Sequence, residues 1–131
     1  MNISKIMSTN LVSVEMDDTL HVVKEIFDQS LFHHLLVVEA DKLVGVISDR
    51  DLFMAISPYV ETAAETARDA ATLNKRAHQI MTRKVIALQP SADIKDAIQI
   101  FNHNKISCIP IVDEHNKPVG IVSWRDILKS I

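Results

Sequence analysis

A serine, an arginine and an aspartate recur at one fixed spacing in two places of this 131-residue sequence. The two sets are Ser48, Arg50 and Asp51, and Ser123, Arg125 and Asp126. An aspartate carboxylate can accept hydrogen bonds from both hydroxyls of a ribose, and a guanidinium can hold a phosphate. Each set follows a glycine, Gly45 or Gly120, and a residue without a side chain lets a ligand or a neighbour approach closely. The spacing therefore indicates two candidate sites for a ligand with a ribose and a phosphate.

The same spacing has a purely structural interpretation. In Ser-x-x-Asp at the start of a helix, the serine can serve as the N-cap residue while the aspartate bonds back to it. Capping alone would account for both residues, and each arginine could pair with a neighbouring acid at the surface. Both interpretations remain open on the sequence.

The elements around the two motifs are also repeated. Ile6-Met7-Ser8 returns as Ile80-Met81-Thr82, with the two methionines 74 residues apart. The segment Val44–Asp51 returns as Val119–Asp126 at an offset of 75. Because these matches occur in the same order, the chain contains two copies of one unit. The additional residue belongs to the turn near Asn116.

Each copy has the pattern strand, helix, two-stranded hairpin, helix. The first strand is predicted over Leu11–Val14 and over Val85–Leu88. Apolar residues at helical spacing predict the first helix of each copy: Leu20, Val23, Ile26 and Phe27, and Ile94, Ala97, Ile98 and Phe101. The hairpins are predicted at Leu35–Glu39 with Leu43–Ser48, and at Ile109–Asp113 with Pro118–Ser123. A second helix follows each serine of the motif.

A segment that belongs to neither copy lies between them. Its alanines, and the order of its charges from acidic to basic, predict a helix over Glu61–Ala77. The organisation expected is therefore a first repeat over residues 1–56, an inserted helical linker over 57–79 and a second repeat over 80–131. Together they would form one compact domain.

Composition excludes several classes of protein. The net charge is −3 and the basic residues are scattered, which argues against nucleic-acid binding. No apolar run approaches the roughly 20 residues of a membrane span, and the start of the chain lacks a signal-peptide pattern. Cys108 is the single cysteine, so no intrachain disulfide can form. We expect a cytoplasmic protein.

Catalytic and metal sites are not predicted. His33 and His34 are adjacent on a strand and point to opposite faces, so they cannot share one metal ion. Cys108 and His103 have no third residue to orient them as a nucleophile pair. His33 alone could lie near a phosphate, or it could be an ordinary surface or packed histidine. We therefore expect no enzymatic activity.

The repeated pattern resembles the cystathionine-β-synthase (CBS) domain. The resemblance rests on Gly-hydrophobic-hydrophobic-Ser-x-x-Asp, preceded by a strand of the form hydrophobic-Pro-hydrophobic-Val-Asp. Copy two matches through Ile109-Pro110-Ile111-Val112-Asp113, whereas copy one departs at Leu36 and Glu39. The resemblance covers nearly all of the chain except the inserted segment.

The resemblance implies an α/β fold in which two β-α-β-β-α repeats pack as a pseudo-twofold CBS pair, also called a Bateman module, with two clefts. It implies AMP, ADP, ATP or S-adenosylmethionine as a regulatory ligand, with no other cofactor. Asp51 and Asp126 would bind ribose hydroxyls, while Ser48 and Ser123 would help to hold ribose or phosphate. The remaining candidate residues are Arg50, Val12, His33 and Leu35 in copy one, and Arg125, Ile86, Ser107, Ile109 and Pro110 in copy two. Because copy one lacks the family proline, copy two is the first site to test.

These expectations define a regulatory module that senses an adenosine ligand and alters its conformation or its contacts. No enzyme or transporter is fused to it in this sequence, so its output would pass through a homodimer or an unidentified protein partner. The alternative is a scaffold with empty clefts. In that case the serines only cap helices, and the alanine-rich segment docks the partner.

Overall fold

The computed structural model describes all 131 residues, and it has an α/β fold. The helices are α1 (Leu20–Gln29), α2 (Asp49–Ala55), α3 (Ala67–Ala71), α4 (Ala77–Ile80), α5 (Ile94–His103) and α6 (Trp124–Ser130). The strands are β1 (Ser13–Glu15), β2 (His34–Glu39), β3 (Lys42–Ser48), β4 (Cys108–Val112) and β5 (Pro118–Ser123). Short 3-10 turns cover Ile3–Lys5 and Thr72–Asn74. The element order predicted for copy one is therefore confirmed, although β1 begins at Ser13 and not at Leu11 as predicted; the differences in copy two and in the linker are described below.

Contacts divide the chain into two compact units. The copy-one unit consists of Ser13–Glu39 and Val44–Arg83, and the copy-two unit consists of Met1–Val12, Ala40–Leu43 and Lys84–Ile131. These units do not coincide with the sequence repeats. The Ile-Met-Ser segment that opens copy one belongs to the copy-two unit, and the Ile-Met-Thr segment that opens copy two belongs to the copy-one unit.

The copy-one unit contains a sheet of order β1-β2-β3. Strand β1 runs parallel to β2, with Val14 opposite Val37. Four consecutive residues of β2, Leu35 to Val38, are buried, as expected for a strand covered on both faces. Helix α1 buries Leu20 and Val23, which lie on one face of the helix because they are three residues apart.

The copy-two unit is built around the antiparallel pair β4 and β5, in which Ile109 lies opposite Val122. Its core is a single apolar cluster drawn from the start of the chain, α5, both strands and α6. The buried members are Ile3, Ala97, Phe101, Ile109, Ile111, Val122 and Ile127. Ile3, which lies in the first repeat of the sequence, is therefore a core residue of the copy-two unit.

The strand predicted over Val85–Leu88 is reduced to a single bridge between Leu88 and Ile111. Leu88 N donates to Pro110 O (3.1 Å), and Val112 N donates to Leu88 O (2.9 Å). This is the register of Val14 and Val37 in copy one, displaced by 74 residues. The ladder stops here because Pro110 has no amide hydrogen with which to continue it toward Ile86. The prediction of a full strand is therefore wrong, and the proline of copy two is the reason.

The helix predicted over Glu61–Ala77 is also wrong. Glu61 adopts a left-handed conformation with φ of 62°, which no helix accommodates. Thr66 then caps a new helix, since its backbone N–H donates to Asp69 Oδ2 (2.9 Å) and its Oγ1 accepts from Asp69 N (3.3 Å). Only the five residues of α3 are α-helical before the chain tightens into the 3-10 turn at Thr72–Asn74. Local side-chain bonds override the helical propensity of the alanines here.

Two glycines give the strands β3 and β5 room for a methionine. A Cβ atom on Gly45 would lie 2.6 Å from Met81 Sδ and 2.9 Å from Met81 Cγ. A Cβ atom on Gly120 would lie 2.9 Å from Met7 Cγ. Backbone bonds fasten the neighbouring residues, between Val46 and Thr82 in one unit and between Ser8 and Ile121 in the other. The lack of a side chain at Gly45 and Gly120 therefore lets a neighbouring segment of the chain lie close to the strand.

We predict that Gly45→Ala lowers the free energy of unfolding by about 1–3 kcal/mol, because the added methyl group overlaps the side chain of Met81. Urea denaturation measures the change. In a double-mutant cycle with Met81→Ala, the double variant should lose less stability than the two single variants together, since truncating Met81 removes the overlap. Additive losses would contradict this packing explanation.

Candidate functional site

The copy-one motif forms a capping box at the start of α2. Asp51 N donates to Ser48 Oγ (3.0 Å), and Ser48 N donates to Asp51 Oδ2 (2.8 Å). Ser48 is in an extended conformation, which is why the strand β3 ends and the helix begins at this residue.

The copy-two motif repeats this geometry at the start of α6. Asp126 N donates to Ser123 Oγ (3.3 Å), and both the backbone N–H and the hydroxyl of Ser123 donate to Asp126 Oδ2, at 2.8 and 3.1 Å. The capping interpretation of the sequence is thus confirmed at both places. In each box the serine donates to Oδ2 of the aspartate carboxylate, so the cap does not need Oδ1. Capping therefore leaves one carboxylate oxygen of Asp51 and of Asp126 able to accept a ligand hydroxyl.

The arginines of the motif point into solvent. Arg50 and Arg125 are both exposed, and neither takes part in an ion pair of the chain. The surface pairing with an acid that the sequence allowed is therefore absent. Both guanidinium groups are therefore exposed to solvent and form no ion pair within the chain.

A pair of side chains that the sequence analysis did not connect borders the copy-one motif. His33 Nδ1 lies 3.0 Å from Asp49 Oδ2, and Asp49 N donates to His33 O (2.9 Å). An ionised carboxylate can only accept, so the ring nitrogen is the donor. The hydrogen bond from His33 holds the pKa of Asp49 below its usual value. The only feature of the sequence that set this place apart was that the two copies differ here, with Asp49 in copy one and Trp124 at the matching position of copy two.

The apolar candidate residues differ in their burial and in the unit to which they belong. Leu35 and Ile109 are fully buried, so only their backbone could face a ligand. Ile86 is exposed, and Val12 is half-buried. Val12 belongs to the copy-two unit, whereas Leu35 belongs to the copy-one unit.

The copy-two candidates all belong to one unit. Ser107 is exposed and directly precedes Cys108, which lies opposite Ser123 in the sheet. Pro110 is buried in β4. The ladder therefore brings the segment around Ser107 beside the residue that caps α6.

Three other residues that could suggest a function, namely Cys108, His103 and Trp124, have structural roles. Cys108 is buried, and burial raises the pKa of its thiol to about 12, so it is not an activated nucleophile. His103 Nδ1 bonds to Gln99 O (2.7 Å) within its own helix. Trp124 packs against Phe101 with ring centroids 4.7 Å apart, and part of its indole remains at the surface.

No group of three or more His, Cys, Asp or Glu side chains is arranged to hold a metal ion. No helix is long and apolar enough to cross a membrane.

Both copies contain a helix, a two-stranded hairpin and a second helix, with a capped Ser-x-x-Asp motif where the second helix begins. The model of the CBS domain matches residues 3–58 and 77–131. The chain therefore belongs to the CBS domain family, and it carries two copies of the domain.

Known proteins similar to this chain share both sequence and fold with it. An uncharacterized protein of Methanocaldococcus jannaschii is 34% identical over 113 residues, which is 86% of this chain and 33% of that protein. The chain thus spans a third of that relative's length. A structure of another protein from this organism has a TM-score of 0.84 and 26% identity, over 99% of this chain and 49% of that one. A CBS domain pair crystallised with 5′-methylthioadenosine and S-adenosyl-L-methionine has a TM-score of 0.78 and 26% identity, over 99% and 94% of the two chains.

His34, the residue after His33, gives a prediction about the pH dependence of stability. Burial lowers the pKa of His34, so the folded protein binds protons there less readily than the unfolded chain. The stability contributed by this residue is fully present above the unfolded pKa of about 6.5, starts to be lost below it, and is lost further as the pH falls to the lowered pKa of the folded protein. The free energy of unfolding in urea should fall between pH 7.5 and 5.5, and it should fall less in His34→Asn. Equal pH dependence of the two proteins would contradict the assignment.

Proposed function

We propose that this protein is a regulatory module that binds an adenosine ligand at one or both of its Ser-x-Arg-Asp motifs. The observation that carries the proposal is that each capping box uses only Oδ2 of its aspartate, next to an arginine that is exposed and makes no ion pair. The similar CBS pair with two bound adenosine compounds supports the choice of ligand class.

In this proposal the ribose is the common anchor. Its two hydroxyls donate to Oδ1 of Asp51 or Asp126, which the capping box holds in a fixed position. A carboxylate that is already oriented loses little side-chain entropy on binding. The arginine beside it receives a 5′-phosphate when the ligand carries one, because a guanidinium matches the geometry of phosphate oxygens. Backbone groups near Leu35 and Ile109 would receive the adenine.

The proposed output is a change of conformation or of partner contacts, without chemistry on the ligand. The serine hydroxyl of each motif is held as a helix cap, where it accepts from the backbone N–H of the aspartate three residues later. A ligand shifts such an equilibrium only by the difference between its affinities for the two states. Exposed apolar side chains on α2 and α6, namely Phe53, Met54 and Leu128, support self-association as one route for that output.

The same exposed side chains also favour a second candidate function. A scaffold that dimerises or docks a protein partner would need this surface and would leave the motifs empty. In that protein the serines and aspartates would serve as helix caps and nothing more, which their geometry also permits.

Calorimetric titration of the protein with AMP, ATP and S-adenosylmethionine separates the two candidates. We expect Asp126→Ala to weaken binding at copy two by about tenfold or more, equivalent to about 1.4 kcal/mol, because the ribose acceptor is lost. We expect the same substitution to lower the free energy of unfolding by about 1 kcal/mol through the lost cap.

Asp96→Ala is the matched control. Asp96 holds the same third position in the capping box of α5, where Asp93 N donates to its Oδ2 (3.0 Å), and it lies in no Ser-x-Arg-Asp motif. This variant should lose similar stability with no loss of affinity. Absence of heat with every adenosine ligand would favour the scaffold, as would binding that neither Asp126→Ala nor Asp51→Ala weakens.

A further inference from the structure

The two motifs differ at two positions that border the residues they share. Where copy one has His33 and Asp49, copy two has Ser107 and Trp124. Asp49 and Trp124 each lie between the serine and the arginine of their motif. An ionisable residue in one copy thus stands where the other copy has an uncharged indole.

This difference changes the charge around the arginine. Arg50 has a carboxylate on either side of it in the sequence, Asp49 and Asp51, so residues 49–51 carry a formal charge of −1. Arg125 is followed by Asp126 alone, so residues 124–126 carry a formal charge of 0. Because Asp49 accepts a hydrogen bond from the ring of His33 at 3.0 Å, its carboxylate is fixed beside the motif in its ionised form.

The backbone amide of Asp49 is also occupied. The amide of Asp49 already donates to His33 O (2.9 Å), so it has no hydrogen to offer a phosphate oxygen. A 5′-phosphate carries up to two negative charges at neutral pH, and one bound by the exposed Arg50 would share the motif with the carboxylate of Asp49, the residue before that arginine. Like charges repel, whereas a neutral thioether is indifferent to the carboxylate and a sulfonium is attracted by it.

Trp124 does not impose this penalty on copy two. Its indole is uncharged and rests on the ring of Phe101, and the guanidinium of Arg125 is exposed with no ion pair. A phosphate beside this motif therefore meets a positive group with a single neighbouring carboxylate, that of Asp126.

We infer that the His33–Asp49 pair makes the copy-one motif selective for adenosine ligands without a 5′-phosphate, while Trp124 leaves the copy-two motif able to accept a phosphorylated one. The inference rests on the proposed function and assigns a ligand class to each motif. The module would then report on two pools of adenosine compounds, a nucleotide pool and a thioether or sulfonium pool.

AMP and 5′-methylthioadenosine test this inference, because they share the adenosine and differ in the charge of the 5′ group. Copy one is measured by calorimetry in the full chain carrying Asp126→Ala, and copy two in the full chain carrying Asp51→Ala. We expect copy one to prefer methylthioadenosine over AMP by about tenfold or more, and copy two to show no such preference. Circular dichroism verifies that each variant is folded, and Asp126→Asn or Asp51→Asn serves where the alanine variant is not.

The decisive variant is Asp49→Asn in the copy-one background. Removal of the charge should raise the affinity for AMP relative to methylthioadenosine about tenfold, and 0.5 M salt should reduce that gain because it screens charge. Glu25→Gln removes an exposed acid from α1 of the same unit and should leave the affinity ratio unchanged. A gain that persists in high salt, or that Glu25→Gln reproduces, would overturn the inference.

Failure of the inference and failure of the proposed function give different results. If both compounds bind and the affinity ratio is the same at the two motifs, the assignment of ligand classes is wrong while the proposed function stands. If neither compound binds to any of these proteins, the proposed function is wrong and the inference fails with it.

Discussion

The structure depends on the contact between a methionine and a glycine that occurs once in each unit. Met81 lies against Gly45, and Met7 lies against Gly120, at distances that exclude any side chain on the glycine. Backbone hydrogen bonds on the neighbouring residues hold each methionine segment in place. These contacts explain why each compact unit includes the opening segment of the other copy. They also orient the end of the strand where the serine of the motif lies.

The serine and aspartate of each motif show that capping and ligand binding are compatible roles. Oδ2 of the carboxylate holds the cap through the backbone N–H of the serine, and Oδ1 remains available. The cap fixes the carboxylate, and a fixed acceptor is what a ribose diol requires. A motif interpreted from the sequence as either a cap or a binding site can therefore be both, and only a measurement of affinity separates the contributions.

Much of the fold could be predicted from the sequence because the signals were local and occurred twice. The hairpins, α1, α5 and the helix starts at Ser48 and Ser123 follow from apolar spacing and capping chemistry. The two wrong predictions have equally physical causes. Pro110 removes a donor that the strand near Ile86 would need, and Thr66 with Asp69 starts a short helix where alanine content predicted a long one. The membership of the units and the His33–Asp49 pair could not be predicted, because they depend on contacts between segments that are distant in the sequence.

The exchange of opening segments has a consequence for how such a chain could arise and be divided. Ile3 is fully buried in the core of the copy-two unit, and Ala77 and Met81 are buried in the copy-one unit. A polypeptide cut between the repeats would leave each half without a piece of its own core. An isolated half could complete itself only by borrowing that piece from another molecule. The duplication is thus comparable to a domain-swapped dimer whose two subunits have been joined into one chain, and joining them replaces a concentration-dependent association with an intramolecular one.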